Sequence, residues 1–221
     1  MPKPILITGG AGSVGKQLTN MLLAEGQSVR VFDLPFMDFT DLETLENVEI
    51  VKGDVTDSNA VLEAIDGVHG VLHLAAILPP NSEKDRSRTF SVNVQGTQNI
   101  VDAIKKVSPE AIMVFTSSIS TYGDTSSVES PVTIMHPQNA IDIYADSKIH
   151  GEKILIDPHT AVAVKSIDYL RNQLTQKGNI VVGIDMSGFI SDKDQKIIDL
   201  VLKNWKTLFL IYLDYILKIC L

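Results

Sequence analysis

Cysteine is almost absent. The one thiol among 221 residues is Cys220, which excludes an internal disulfide framework and any cysteine-built zinc site and fits a reducing compartment. Positive charge is also short. Nineteen Lys and Arg face 27 Asp and Glu for a formal net charge of −8, so no nucleic-acid-binding surface is expected. There is no run of like charge, no internal repeat and no low-complexity segment. No leader sequence is expected, because Met1-Pro2-Lys3-Pro4 leads straight into the first apolar run without a charged-then-apolar pattern. The apolar-rich stretch from Trp205 to Leu221 is broken by Lys206, Asp214 and Lys218. It falls short of the roughly 20 uninterrupted residues that a membrane span needs. A core helix, a dimer contact, a membrane-surface helix, an altered reading frame or a truncation would each account for it. The expectation is a cytoplasmic protein, long enough for one domain or slightly more.

What is present begins with Thr8-Gly9-Gly10-Ala11-Gly12-Ser13-Val14-Gly15. The apolar run Pro4-Ile5-Leu6-Ile7 precedes it, and Val14, Leu18, Met21 and Leu22 follow at helical spacing up to Glu25-Gly26. Strand, glycine turn and helix in that order are the context in which such a pattern binds a dinucleotide. The glycines allow a sharp turn and a close approach to a pyrophosphate, and the helix N-terminus offers N–H groups and a positive dipole. A plain strand-to-helix turn is the alternative. A second strand, Ser28 to Phe32, ends at Asp33, about 20 residues after the glycines, where an acid accepts from the adenosine ribose hydroxyls. Its charge would repel a 2′-phosphate and so favours NAD over NADP. A solvated acid at a strand end reads equally well from spacing alone.

Strand and helix patterns then alternate. Val48 to Lys52 reads as a strand entering Gly53-Asp54-Val55. Asp57 caps a helix carrying Val61, Leu62 and Ile65 and closed by Gly67. Val68 to Leu74 reads as the next strand, leading into Ala75-Ala76. A longer helix with Val94, Thr97, Val101 and Ile104 on one face follows, and Ala111 to Phe115 is a fifth strand opening into Thr116-Ser117-Ser118. This alternation predicts an α/β fold, a doubly wound parallel sheet of the Rossmann kind. Ligands then lie at the carboxyl ends of the strands, where the glycine turn, Asp33, Asp54, Ala75-Ala76 and Ser117-Ser118 all fall.

Tyr144 and Lys148 stand four residues apart, which on a helix puts both on one face. A phenol of ordinary pKa near 10 is a poor base at neutral pH, and an adjacent ammonium favours its phenolate. A solvated helix face gives the same string. The hydroxyls of Ser117-Ser118, one loop upstream, supply a group able to hold a substrate oxygen while a proton moves. His136, His150 and His159 have no metal-ligand spacing, and no metal site is expected. His73 reads as part of a strand end. The stretch from Ile119 to Ile143 reads as an irregular loop over the site.

Taken together, residues 5 to about 153 resemble the extended short-chain dehydrogenase/reductases, the NAD-dependent epimerase/dehydratase group. The resemblance is carried, in the family's order, by Thr8 to Gly15, Asp33, Gly53-Asp54-Val55 and His73-Leu74-Ala75-Ala76. Asn93-Val94-Gln95-Gly96-Thr97, Phe115-Thr116-Ser117-Ser118, Tyr122-Gly123, Tyr144 and Lys148 complete it. It implies that Gly9, Gly12 and Gly15, with the Ser13-Val14 backbone, cradle the pyrophosphate of NAD, and that Asp33 holds the ribose. It further implies that Asp54-Val55 flanks the adenine and that Ala75 and Ala76 line the path to the nicotinamide. Asn93 would secure the helix backing the site. Tyr144 would be the acid/base, Lys148 the ribose ligand that lowers the tyrosine pKa, and Ser118 the hydroxyl orienting a small-molecule substrate. The implied chemistry is dehydrogenation, epimerisation or dehydration of a hydroxylated molecule, with a nucleotide sugar as the family-level substrate and a homodimer as the family-level assembly. A non-catalytic NAD-binding module or truncated pseudoenzyme is the rival.

Past Lys153 the resemblance ends, which divides the chain into a Rossmann domain over 1–156 and an atypical segment over 157–221. Asp157-Pro158 reads as a helix start, Ile180 to Ile184 as a sixth strand, and Asp192 as the opening of another helix. The short segment Ile156 to Ala163 resembles a piece of threonine synthases, too small to carry function.

Overall fold

The computed structural model describes residues 3–126, 136–156 and 181–185. The helices expected from Asp157 and Asp192, the apolar terminus and the middle of the loop after Ser118 lie outside the described residues. The first strands run β1 (Ile5–Thr8), β2 (Val29–Asp33) and β3 (Val48–Lys52), with α1 (Ser13–Ala24) and α2 (Thr40–Glu43) between them. Next come α3 (Ser58–Ile65), β4 (Gly70–His73), α4 (Arg86–Phe90) and α5 (Gly96–Val107). The described chain closes with β5 (Ile112–Thr116), α6 (Ile143–Ile156) and β6 (Val181–Asp185).

The sheet order is β3-β2-β1-β4-β5-β6. The first five strands are parallel, the doubly wound arrangement expected from the alternating pattern. β6 pairs antiparallel with β5, setting Phe115 opposite Val182, so the sixth strand closes the sheet with an antiparallel edge. The strands are apolar on both faces because both are covered. Ile5, Ile7, Val29, Val31, Ile112 and Val114 pack against Leu18 and Leu22 of α1 on one side. Leu6, Phe32, Val71, Met113 and Phe115 pack against α3, α5 and Leu155 of α6 on the other. Each fully buried side chain of this size contributes about 1.5–3 kcal/mol, and together they hold the sheet that presents the strand ends.

Local signals set the helix ends. Gln27 N donates to Leu22 O at 3.0 Å past α1, with Gly26 at a φ of +73°, a turn that glycine makes without strain. Asp57 accepts from the amides of Asn59 and Ala60 at the start of α3, satisfying donors that the first turn leaves without helical partners. One departure from regularity matters for the site. Between α4 and α5, residues Ser91–Gln95 form a π-helical turn, which adds a residue to the turn and rotates Asn93 inward. The expected helical face holds for Thr97, Val101 and Ile104, which are buried, but not for Val94 within that turn. Among the described residues, no helix is long and apolar enough to cross a membrane.

Candidate active site

The glycine turn joins β1 to α1. Gly9 has a φ of +68°, and a Cβ there would stand 2.9 Å from Ala75 N. A Cβ at Gly15 would meet Gly10 Cα and O at 2.5 Å, so these two positions need glycine for close backbone packing. Gly12 differs. It is the N-cap of α1, and its Cβ would meet only Gly9 O, at 3.2 Å. No side chain caps this helix, and its first turn holds no acid, which leaves the Ser13-Val14-Gly15 amides as an uncapped, positively polarised end. An uncapped helix end with no acid in its first turn suits an anionic group such as a pyrophosphate.

Asp33 closes the adjoining strand. Its Oδ2 accepts from Ala11 N at 3.0 Å and its Oδ1 from Leu34 N at 2.8 Å, so the carboxylate braces the glycine turn from the neighbouring strand end. Asp54 accepts from Thr56 N at 2.9 Å. Val55 turns into the core, 6% exposed and seated against Gly96, and its carbonyl accepts from Asn99 Nδ2. Ala75 and Ala76 follow β4 as half-buried residues, and Ala75 N donates to Thr8 Oγ1 at 3.2 Å.

On α6, Lys148 is 3% exposed. Its Nζ donates to Thr116 O at 2.8 Å and lies 4.9 Å from the Phe115 ring centroid and 5.7 Å from that of Tyr144. Burial pulls its pKa down to about 8, while the charge of Glu152 acts in the opposite sense. Tyr144 is half-buried at the opening turn of the same helix. The two neighbouring serines divide their tasks. Ser117 donates to Glu152 Oε1, which commits it to the scaffold. Ser118 caps the 3₁₀ turn Ile119–Tyr122, its Oγ accepting from Ser120 N and Ser120 Oγ. The stretch read as irregular from Ile119 thus opens with an ordered turn.

A buried polar chain, not foreseen in the sequence, ties these parts together. His73 ends β4, as expected, and is also a hub: Nδ1 lies 2.6 Å from Thr8 Oγ1, and Nε2 lies 3.0 Å from Thr97 Oγ1. Thr97 Oγ1 donates to Asn93 O, so it must accept from His73, which places the imidazole proton on Nε2. Thr8 then donates to Nδ1. Burial first, and the Lys148 charge second, push the His73 pKa down to about 3 and keep the ring neutral. Asn93, 2% exposed, holds Ile77 through both its N–H and its carbonyl and donates to Ser147 Oγ at 3.0 Å. Ser147 donates to Tyr144 O at 2.7 Å. Asn93 therefore ties the segment after β4 to α6, the helix that backs the site. The signal available in the sequence was the series of polar residues, Thr8, His73, Asn93 and Thr97, set within otherwise apolar elements.

A second support comes from outside. Glu83, in the 3₁₀ turn Asn81–Lys84, accepts from Ile143 N at 2.9 Å and Tyr144 N at 3.1 Å, and Arg86 pairs with Asp146 at 2.7 Å. The amide bonds, that of Ile143 foremost, hold the Glu83 pKa below its ordinary value. Among the described residues, no group of His, Cys, Asp and Glu forms a metal-binding cluster.

Residues 6–165 match the 3-beta hydroxysteroid dehydrogenase/isomerase family. Over 158 residues the chain is 30% identical to a 3 beta-hydroxysteroid dehydrogenase/Delta 5→4-isomerase of Mycobacterium tuberculosis, covering 69% of this chain and 42% of that protein. It is 32% identical to the D-erythronate dehydrogenase of Cupriavidus necator, covering 69% of this chain and 49% of that one. Among solved structures, it resembles an NAD-bound short-chain dehydrogenase/reductase superfamily protein of Agrobacterium tumefaciens, with 36% identity, a TM-score of 0.58 and coverage of 68% and 43% of the two chains. It also resembles the UDP-glucose 4-epimerase of Brucella ovis in complex with NAD, with 28% identity, a TM-score of 0.63 and coverage of 70% and 47%. The chain spans less than half the length of each of these relatives. With the parallel sheet, the glycine turn and the Tyr144–Lys148 helix in place, the chain belongs to the 3-beta hydroxysteroid dehydrogenase/isomerase family, among the NAD-dependent epimerase/dehydratase-like short-chain dehydrogenase/reductases.

Proposed function

We propose that this protein binds NAD at the β1–α1 turn and oxidises a secondary hydroxyl of a small molecule, with Tyr144 as the acid/base. The observation that carries the reading is the burial of the Lys148 ammonium against Thr116 O, 5.7 Å from the Tyr144 ring and one strand end from Ser118. A cation fixed there stabilises negative charge on the phenol oxygen without any reorganisation of solvent. Bound NAD would supply the hydride acceptor. Gly12 and the Ser13 to Gly15 amides would hold its pyrophosphate and Asp33 its adenosine ribose, with Asp54 and the Val55 backbone beside the adenine. Ala75 and Ala76 would flank the approach to the nicotinamide.

The chain's own part in the reaction follows from these positions. Ser118 orients the substrate hydroxyl, Tyr144 removes its proton, and Lys148 offsets the charge that develops. Orientation and electrostatic stabilisation supply most of the acceleration in such a site. Epimerisation or dehydration would require the oxidised product to remain bound, whereas a dehydrogenase releases it. Residues 1–156 would form the cofactor half and 157–221 a separate segment.

The test uses the full chain. NAD binding is measured by calorimetry, and NADH formation is scored on nucleotide sugars, 3β-hydroxysteroids, sugar acids and polyols. Tyr144→Phe should bind NAD within a fewfold of the parent and lose at least about a hundredfold in turnover on whichever class reacts. Turnover retained by this variant removes the assignment. Binding of NAD with no turnover on any class favours a non-catalytic NAD-binding module.

A further inference from the structure

Three residues of α6, Tyr144, Lys148 and Glu152, recur at the helical repeat of four and share one face. The first two belong to the site proposed above. Glu152 is buried almost as deeply as Lys148, at 8% exposed, and has no task there. Both of its carboxylate oxygens are anchored. Ser117 Oγ donates to Oε1, and Gln138 Nε2 donates to Oε2 at 2.5 Å. Lys148 and Glu152 therefore grip consecutive residues at the end of β5, one through Thr116 O and the other through Ser117 Oγ. Neither side chain is free to drift from the other.

We propose that Glu152 is a positioning residue for Lys148, the fixed negative charge that keeps the ammonium protonated beside the Tyr144 phenol. Among the described residues, no carboxylate makes a direct ion pair with Lys148, and its hydrogen-bond acceptor is a neutral carbonyl. Burial alone favours the uncharged amine. Among the described residues, the following groups act on the ammonium. α6 contributes Tyr144 and Glu152, β4 contributes His73, and β5 contributes the Phe115 ring and the Thr116 carbonyl. His73 is neutral, and among the described residues the Glu152 charge raises the lysine pKa against the effect of burial. A neutral Lys148 would offer the phenol no electrostatic help. Asp146 and His150, on the same helix, pair with each other at 3.1 Å on its more exposed side.

The consequence for Tyr144 rests on the proposed function, but the coupling of Lys148 to Glu152 is testable in the protein without NAD. The full chain is labelled at lysine Cε, the Lys148 resonance is identified by its loss in Lys148→Met, and its midpoint is followed by NMR against pH. In Glu152→Gln the midpoint should fall by about one pH unit. In Ser117→Ala, which removes a hydrogen bond but leaves the charge, it should stay near that of the parent. A merely bracing role for Glu152 predicts that neither variant moves it. An unchanged midpoint in Glu152→Gln, or an equal fall in both variants, overturns the proposal. Glu152→Asp guards against misfolding of Glu152→Gln: it keeps the charge, so the Lys148 midpoint should stay near that of the parent, and a fall equal to that in Glu152→Gln again overturns the proposal. In the activity assay, Glu152→Gln should lower NADH formation about twofold at pH 7, because a midpoint moved down from about 8 by one pH unit leaves roughly half of Lys148 protonated, and Ser117→Ala should not. Should Tyr144→Phe retain turnover while the Lys148 midpoint moves as expected, the functional reading fails and the charge coupling stands.

Discussion

Asn93 donates a 3.0 Å hydrogen bond to the Ser147 hydroxyl, joining the π-helical turn to α6 one residue before Lys148. The same amide holds Ile77 by its N–H and its carbonyl, so one side chain registers the segment after β4 against the helix that carries Tyr144. Asn93→Ala should strip Ile77 of both partners and cost about 3 kcal/mol, whereas Ser147→Ala should cost about 1 kcal/mol. Urea unfolding of the two variants checks this. Equal losses would mean that Ile77 finds other partners.

The glycines separate into two kinds. Gly15→Ala brings a Cβ within 2.5 Å of the Gly10 backbone and should lower the thermal midpoint by several degrees. Gly12→Ala meets only Gly9 O at 3.2 Å, so the fold should tolerate it, but the methyl would fill the cradle and weaken NAD binding at least about tenfold. Calorimetry and thermal melts on both variants separate the effects. Gly12→Ala binding NAD like the parent would count against the cradle.

The buried neutral His73 makes stability depend on pH. Its folded pKa, about 3, lies below the ordinary 6.5, so between these values the unfolded chain binds a proton that the folded chain refuses. Stability from this group is complete above about pH 6.5 and falls as the pH is lowered, by about 1 kcal/mol per pH unit. Unfolding midpoints between pH 7 and 5 should show this slope, and His73→Gln should flatten it. Carboxylates such as Glu83, with pKa values held low, act further down and do not explain a loss in that window.

Glu83 caps the helix that bears Tyr144, from a turn far away in sequence. Glu83→Ala should lower kcat severalfold and leave the NAD Kd unaltered, with Glu83→Gln recovering part of the loss through its remaining acceptor oxygen. A parallel loss of NAD affinity would show that the turn serves the cofactor side instead.

Strand, turn and helix order was legible in the residues, because apolar periodicity and glycine placement act locally on the backbone. It was enough to predict five parallel strands and to put the glycine turn, Asp33 and Ser117-Ser118 at their carboxyl ends. It also put Tyr144 and Lys148 on one helix face, since four residues make about one turn. Packing settled that Ser117 is bonded into the scaffold, because it meets Glu152 only once α6 lies against β5. The same holds for His73, whose tautomer depends on Thr8 and Thr97 arriving from opposite sides. It holds too for Asn93, turned inward by a π-helical turn that no propensity marks, and for the antiparallel direction of β6. Periodicity records which face is apolar; it carries no record of which buried polar groups will find one another, and those meetings are set by packing.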